Sequence, residues 1–182
     1  MKHLVLSNYR CGTTWYCNHL AEKHSANNFD EIFHDNFNSK QKLKGGLLYL
    51  ESKEPVVAKI FSTHIDSLEN KNLLSLYGKI VNSSKVYYIK RRDIKAQVDS
   101  YIKALHMGYK KKIDWHDEII ENEEIIISRS EYENYANFIL FNNAKIKRVA
   151  ETPGLDVETV IFEDFALPEN RYNRNVTLTI TN

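Results

Sequence analysis

The amino terminus carries a strand–turn–helix pattern that restricts the chain to few folds. A short apolar run, Leu4–Leu6, leads into the polar stretch Ser7–Trp15, and a helix-like stretch follows. A strand, a glycine-containing turn and a helix form the unit in which amides at a helix start bind phosphate. Gly12 in this turn lets the backbone approach an anion closely, because it has no side chain. The sequence therefore predicts an anion site in the first turn.

Side chains of the same turn add donors and charge. Thr13 and Thr14 bring hydroxyl groups, and Arg10 brings a fixed positive charge. The lysine that directly follows the glycine in nucleotide-hydrolysing loops is missing, and no obvious magnesium aspartate follows on an apolar strand. We therefore expect a phosphate ligand that binds without a metal, rather than ordinary ATP or GTP hydrolysis.

A second strand-to-helix junction lies in the middle of the chain. The strand-like segment Lys85–Lys90 runs directly into Arg91-Arg92-Asp93 and a helix-like stretch. Asp93 is a good N-cap, and an arginine at this position can bind a phosphate with two hydrogen bonds. Ser100, eight residues after Arg92, adds a hydroxyl donor. We expect Arg92 and Ser100 to face a ligand.

Apolar residues of this second helix recur with helical spacing and are expected to pack inward, while Gln97 and Ser100 lie on another face. The inward set is Ile94, Val98, Tyr101, Ile102 and Leu105.

Apolar segments alternate with helix-like stretches along the chain, which predicts an α/β fold with a central parallel sheet flanked by helices. Strands are expected near Leu4 and at residues 56–61, 86–89 and 157–162. Ligands of such sheets bind at the carboxyl ends of the strands. Arg10, His64 and Arg92 all fall there.

Composition indicates one enzyme-sized domain over residues 1–182, because 182 residues with 42% hydrophobic content bury a core unaided. The 25 basic and 24 acidic residues lack the basic excess of nucleic-acid binders, so no nucleic-acid partner is expected. The seven histidines are scattered singly, which predicts no metal site. Polar residues 25–46 are expected to form a mobile acceptor-binding loop, and acidic residues 114–129 a surface segment or lid.

The two cysteines and the lack of an export signal or long apolar stretch predict a cytoplasmic protein without a membrane span. Cys17 is predicted to be a core residue. Packing or backbone shape is the favoured role of Cys11, with an activated thiol at the helix start as the alternative.

Both loops resemble the cofactor motifs of the sulfotransferases that use 3′-phosphoadenosine 5′-phosphosulfate (PAPS). Residues 10–15 are similar to the 5′-phosphosulfate loop, with Cys11 in place of the usual serine. Arg92 and Ser100 have the spacing of the 3′-phosphate motif, and residues 91–100 look most like the bacterial trehalose sulfotransferase branch. The resemblance implies a three-layer P-loop-type fold and the following cofactor-binding residues: Arg10, Cys11, Gly12, Thr13, Thr14, Trp15, Arg92 and Ser100.

The resemblance extends to a late segment. Residues 157–165 resemble the family's strand ending in Tyr-Glu-Asp-Leu, with Phe162 in place of tyrosine. Glu163 and Asp164 are expected to order the loop arginines through salt bridges. The cytosolic branch binds the 3′-phosphate with a later Arg-Lys-Gly loop, and this chain has only Arg171 and Arg174 in roughly that place, a departure expected to weaken cofactor affinity.

Sulfuryl transfer needs a base and cationic stabilisation of the leaving phosphate. Glu31 lies in a segment similar to the one that holds the base in the trehalose branch, whereas Thr63-His64 resembles the position of the base in the cytosolic branch. Either residue has a structural alternative, as a solvated carboxylate or a strand-end partner. Arg10 and Lys59 are candidate cations for the leaving group, although a strand lysine more often points to solvent, which favours a surface role for Lys59.

The resemblance implies a sulfotransferase that transfers sulfuryl from PAPS to a hydroxyl of a carbohydrate or other small acceptor and releases 3′-phosphoadenosine 5′-phosphate. Two alternatives stay open. One is an inactive nucleotide-binding or interaction module of the same fold, and the other is a small P-loop kinase.

Overall fold

The computed structural model describes residues 1–29, 31, 33, 39–52, 54–107, 123–165 and 176–182. Strands and helices alternate through this part of the chain. They are β1 (Lys2–Ser7), α1 (Thr13–His24), β2 (Asn27–Asn28), α2 (Lys40–Ser52), β3 (Val56–Phe61), α3 (Ser62–Asn70), α4 (Leu74–Asn82), β4 (Ser84–Lys90), α5 (Ile94–Leu105), β5 (Glu123–Ser128), α6 (Arg129–Ala150), β6 (Val157–Ile161), α7 (Phe162–Phe165) and β7 (Val176–Thr181).

A five-stranded parallel sheet with the order β2-β3-β1-β4-β6 forms the centre of the fold. In its middle, Val5 of β1 lies opposite Lys59 of β3 and Tyr87 of β4. Helices cover both faces, so the predicted α/β class is confirmed, as are the four predicted strands. The last strand ends one residue earlier than predicted, because Phe162 begins α7.

Side-chain alternation along the strands assigns each helix to one face of the sheet. Leu4 and Leu6 point into the larger cluster, which α2, α3, α4 and α6 also fill. Val5 points into the opposite cluster, where it meets Cys17 and Leu20 of α1. The prediction that Cys17 is a core residue is confirmed, since it is fully buried.

A second, two-stranded parallel sheet pairs β5 with β7. Its Ile125 and Val176 pack with Val98 and Ile102 of α5, two of the residues predicted to face inward, and with Ile139 of α6. This sheet was not predicted. The acidic segment 114–129 was expected to be a surface segment or lid, but residues 123–128 are β5 and Arg129 begins α6, while residues 114–122 lie outside the described part.

The described part of the polar segment 25–46 contains a strand and the start of a helix, which were not predicted. Asn27 and Asn28 pair with Val56 and Val57 at the edge of the sheet, and α2 begins at Lys40. Residues 30, 32 and 34–38 of this segment lie outside the described part. Across the described ranges, no helix combines the length and apolar character needed to cross a membrane.

His3 is buried on β1, at the end of the sheet opposite the predicted anion sites. Its ring stacks on His24 with the centroids 4.1 Å apart, and Tyr87 Oη lies 3.4 Å from Nδ1. Burial lowers the pKa of His3 to about 4, and the positive charges of His24, the amino terminus and Lys23 act in the same direction. The folded protein therefore keeps this ring neutral at pH values where an unfolded chain protonates it.

We predict that stability falls as the pH drops from about 6.5 towards 4. At pH 5 the unfolded state gains a proton that folded His3 does not bind, so the free energy of unfolding decreases by about 1–2 kcal/mol relative to pH 7. Urea denaturation at both pH values measures this, and His3→Phe should remove most of the difference. His19→Gln, a substitution of an exposed histidine, should leave it unchanged. Equal pH dependence in the wild type and His3→Phe would contradict the assignment.

Candidate functional site

The turn after β1 has a left-handed backbone at two positions. Arg10 has φ 61° and Gly12 has φ 68°, and Gly12 is the N-cap of α1. A Cβ atom on Gly12 would lie 2.6 Å from Cε2 of Phe162, which is closer than real Cβ contacts come. Glycine is therefore required both by the backbone conformation and by the aromatic ring packed against it.

No described side chain caps the amino terminus of α1, which begins at Thr13. The first amides of a helix have no acceptor within the helix, and they carry the positive end of its dipole. These amides lie at the carboxyl end of the central strand β1, where the sequence analysis predicts the first anion site. Thr13 is buried, whereas Thr14 and Trp15 are exposed.

Lys59 supplies a buried positive charge beside this turn. Strand alternation puts it on the α1 face, next to Val5, and only 3% of its surface is exposed. Its Nζ donates a hydrogen bond to Thr14 Oγ1 at 2.9 Å and lies 3.1 Å from Glu31 Oε1. The prediction that Lys59 is a surface charge is wrong, because the side chain is buried and its ammonium is held by Thr14 in the first turn of α1 and by the Glu31 carboxylate.

Two amide side chains, the buried Gln97 of α5 and the partly buried Asn143 of α6, hydrogen-bond to the turn. Gln97 Nε2 donates to the carbonyl oxygen of Tyr9 at 2.7 Å and lies 3.2 Å from Cys11 Sγ. Asn143 donates to Gln97 Oε1 at 3.0 Å and accepts from Asn8 at 3.0 Å. From the sequence, Gln97 was expected to lie away from the apolar face, and Asn143 was not singled out. Neither residue stands out in the sequence, because other polar residues lie close to both of them in the chain.

Cys11 is a packing residue in this turn. It is 1% exposed, and burial raises the pKa of its thiol to about 12, so the thiol stays protonated at neutral pH. The structure thus favours the predicted role in packing or backbone shape over an activated thiol.

The two predicted cofactor motifs meet through their side chains. Arg10 Nε donates to Ser100 Oγ at 3.0 Å, which joins the first turn to α5. Asp93 caps α5 as predicted, because its carboxylate accepts from the Ala96 amide at 2.8 Å. Arg92 is exposed and lies just before the helix that carries Ser100, but its guanidinium is paired with Asp164 at 2.5 Å.

Glu163 binds backbone amides at the start of α5. Its carboxylate accepts hydrogen bonds from the amides of Arg92 and Asp93, each at 3.0 Å. Burial acts to raise the pKa of Glu163, but these backbone bonds and the Arg91 guanidinium outweigh it, and the net pKa lies below the ordinary value. The predicted salt bridges from Glu163 and Asp164 to the loop arginines are present.

Arg91 is a residue of the site that was not singled out from the sequence. Its Nη1 donates to the carbonyl oxygen of Arg10 at 3.2 Å, and its guanidinium carbon lies 4.5 Å from the centre of the Phe162 ring. The side chain is 13% exposed. Arg91 therefore holds the left-handed turn and the aromatic ring above it in place.

His64 lies inside the fold rather than at its surface. It is fully buried, its Nδ1 accepts from the Phe61 amide at 3.1 Å, and its ring packs against Phe33 and Phe61.

The remaining predicted cofactor residues lie elsewhere. Trp15 is 39% exposed and stacks on Phe165 with the centroids 5.2 Å apart. The candidates Arg171 and Arg174 lie outside the described residues.

Within the described ranges, no group of three or more histidine, cysteine, aspartate or glutamate side chains is arranged to hold a metal ion. A groove of about 490 Å³ opens elsewhere on the molecule, between β6 and the end of α6. Its lining includes Tyr88, Lys90, Lys147 and Glu151, and the turn after β1 does not contribute to it.

Comparison with known proteins returned no match to this chain, either among the profiles of protein families or among curated sequences. Its function is therefore inferred from the motifs and from the geometry of the site.

Gly12→Ala should destabilise the protein by about 2–4 kcal/mol, because the left-handed backbone and the contact with Phe162 both oppose a Cβ atom. Gly78→Ala is the matched control. Gly78 lies inside α4. Apart from its chain neighbours and the backbone of its own helix, no atom of the described residues comes within 4 Å of the position that a Cβ would take, so alanine there should be neutral or stabilise by about 0.5–1 kcal/mol. Chemical denaturation measures both variants. Phe162→Ala should recover part of the Gly12→Ala loss, and full tolerance of Gly12→Ala would contradict the close packing.

Proposed function

We propose that this chain is a PAPS-dependent sulfotransferase with a P-loop-type fold, which transfers sulfuryl to a hydroxyl of a carbohydrate or other small acceptor. The main support for the proposal is the cluster of Lys59, Thr14 and Glu31 beside the start of α1, which no described side chain caps. It combines a buried cation, a hydroxyl donor and a carboxylate at the end of the central strand.

The order of the strands supports a P-loop-type fold. β1 lies in the middle of the sheet, and β3 and β4 flank it in parallel. The segments after these three strands therefore meet at one edge, the position at which open α/β sheets bind their ligands. The turn after β1 and Arg92 after β4 lie along that edge, and the Lys59 side chain of β3 reaches it at Thr14.

The donor set fits a phosphosulfate group. Uncapped amides, the Thr14 hydroxyl, the Lys59 ammonium and the Arg10 guanidinium all bind anionic oxygens, so these groups would hold the 5′ side of PAPS. Arg92 and Ser100 would hold the 3′-phosphate. When bound, PAPS supplies an activated sulfuryl group and a phosphate leaving group. Lys59 then stabilises negative charge at the 5′-phosphate through its fixed position, as cations do in phosphoryl transfer.

Glu31 is the favoured base. Its side chain is 25% exposed and lies against Lys59, so an acceptor hydroxyl coming from solvent can reach it. His64 is fully buried and uses Nδ1 to accept from a backbone amide, an arrangement that fits a structural role at the start of α3. A base must come within hydrogen-bond distance of the proton that it removes, and Glu31 meets this condition better.

One observation favours the second candidate, an inactive nucleotide-binding module. The amides of Arg92 and Asp93 and the Arg92 guanidinium already have carboxylate partners from α7. A protein that no longer binds a 3′-phosphate can keep such partners permanently. Binding measurements separate the two candidates.

Calorimetric titration with 3′-phosphoadenosine 5′-phosphate, AMP, ADP and ATP, each with and without magnesium, tests the proposal. We predict selective binding of the bisphosphate without metal. Lys59→Met should weaken that binding about 10- to 100-fold, because a charge-assisted hydrogen bond contributes about 1.5–3 kcal/mol.

The matched control is Lys85→Met. Lys85 is also a strand lysine with a carboxylate partner, Asp156 at 2.8 Å, but it lies at the opposite end of the sheet. Its substitution should leave the bisphosphate affinity within about twofold. Binding of ATP only with magnesium would point to the kinase, and no bisphosphate binding would reject the sulfotransferase.

Turnover separates the two candidate bases. With radiolabelled PAPS and an acceptor found by screening, Glu31→Gln should lower the rate by roughly 10²–10⁴ while the bisphosphate affinity changes little. His64→Asn should mainly lower the free energy of unfolding, because His64 is a buried partner of the Phe61 amide. A large rate loss in a stably folded His64→Asn variant, with Glu31→Gln active, would reverse the assignment.

A further inference from the structure

The segment α7 contacts both candidate loops through its four residues. Phe162 packs on Gly12, and Phe165 stacks on Trp15. Between them, Glu163 accepts from the amides at the start of α5, and Asp164 pairs with Arg92. One short segment thus covers the turn after β1 with aromatic rings and the start of α5 with carboxylates.

We propose that Glu163 and Asp164 are built-in competitors for the 3′-phosphate, so that a ligand phosphate binds at the start of α5 only by displacing them. The inference rests on the proposed function, because that function places the 3′-phosphate at Arg92. It goes further in assigning α7 a role in ligand selection.

The competition follows from shared donors. The amides of Arg92 and Asp93 both point at the Glu163 carboxylate at 3.0 Å, and a helix start offers an incoming anion these same groups. A phosphate beside a carboxylate is repelled by it, and this repulsion is several times stronger at a partly buried site than in bulk water. Phosphate and Glu163 therefore exclude one another.

The two carboxylates differ in how firmly they are held. The Arg92–Asp164 pair is exposed, with 62% and 60% of the two side chains accessible, and such pairs contribute little to stability. Glu163 is 23% exposed and bonded to two backbone amides. Glu163 is consequently the main competitor of a ligand phosphate, whereas Asp164 is displaced readily.

Displacement of Glu163 and Asp164 from the start of α5 also changes the first loop. Phe162 and Phe165 flank the two carboxylates on α7 and pack on Gly12 and Trp15, so a shift of α7 alters the cover over the start of α1. A nucleotide without a 3′-phosphate leaves Glu163 in place. The replacement of the Glu163 carboxylate by a ligand phosphate thereby distinguishes 3′-phosphorylated ligands from ordinary nucleotides.

Inorganic phosphate tests the competition without any nucleotide. The amide signals of Arg92 and Asp93 are followed by ¹⁵N–¹H NMR during titration of the wild type, Glu163→Gln and the control Glu158→Gln. Glu158 is an exposed residue of β6, so its substitution changes net charge equally. We expect phosphate-dependent shifts at these amides in Glu163→Gln at concentrations at least tenfold lower than in the other two proteins. Equal responses in all three proteins would overturn the proposal.

Calorimetry then connects the competition to the proposed function. Glu163→Gln should bind 3′-phosphoadenosine 5′-phosphate about tenfold more tightly than the wild type, with AMP affinity unchanged. Weaker bisphosphate binding in Glu163→Gln would overturn the proposal, because Glu163 would then position the ligand rather than compete with it. If none of the proteins binds the bisphosphate, the sulfotransferase assignment fails, and the phosphate titration still decides the competition.

Discussion

The contact between Gly12 and Phe162 is the constraint on which the site depends. The missing side chain at Gly12 admits the aromatic ring to a position that any Cβ atom would block. With the ring in place, α7 lies across the edge of the sheet, and Glu163 and Asp164 reach α5. Arg91 supports the same arrangement through its contacts with the Arg10 carbonyl oxygen and the face of the Phe162 ring.

The starts of α1 and α5, both at this edge, differ in their capping and in the charges beside them. The start of α1 has no described side-chain cap, and the buried Lys59 ammonium lies nearby on Thr14. The start of α5 is closed by Asp93 and by Glu163. A cation beside uncapped amides attracts an anion, whereas carboxylates on capped amides repel one. We therefore infer that the first turn provides most of the affinity for a ligand and the second provides selectivity.

Much of the fold followed from local patterns. Apolar runs predicted the four long strands of the central sheet, and Asp93 before an amphipathic stretch predicted the cap of α5. The burial of Lys59 was not predictable in this way, because it depends on Glu31, a partner distant in sequence. The β5–β7 sheet was missed for a similar reason. Its strands come from separate parts of the chain, and only their pairing over α5 and α6 turns the isoleucine run of β5 and the threonine-rich run of β7 into a sheet.

We have proposed that the turn after β1 binds the 5′-phosphate of an adenosine bisphosphate without a metal. Amide chemical-shift mapping in the presence of EDTA and 3′-phosphoadenosine 5′-phosphate tests this binding. We predict that the largest shifts occur at the amides of Thr13, Thr14 and Trp15. Largest shifts at residues of the groove around Lys90 and Lys147, with none in the turn, would contradict the claim.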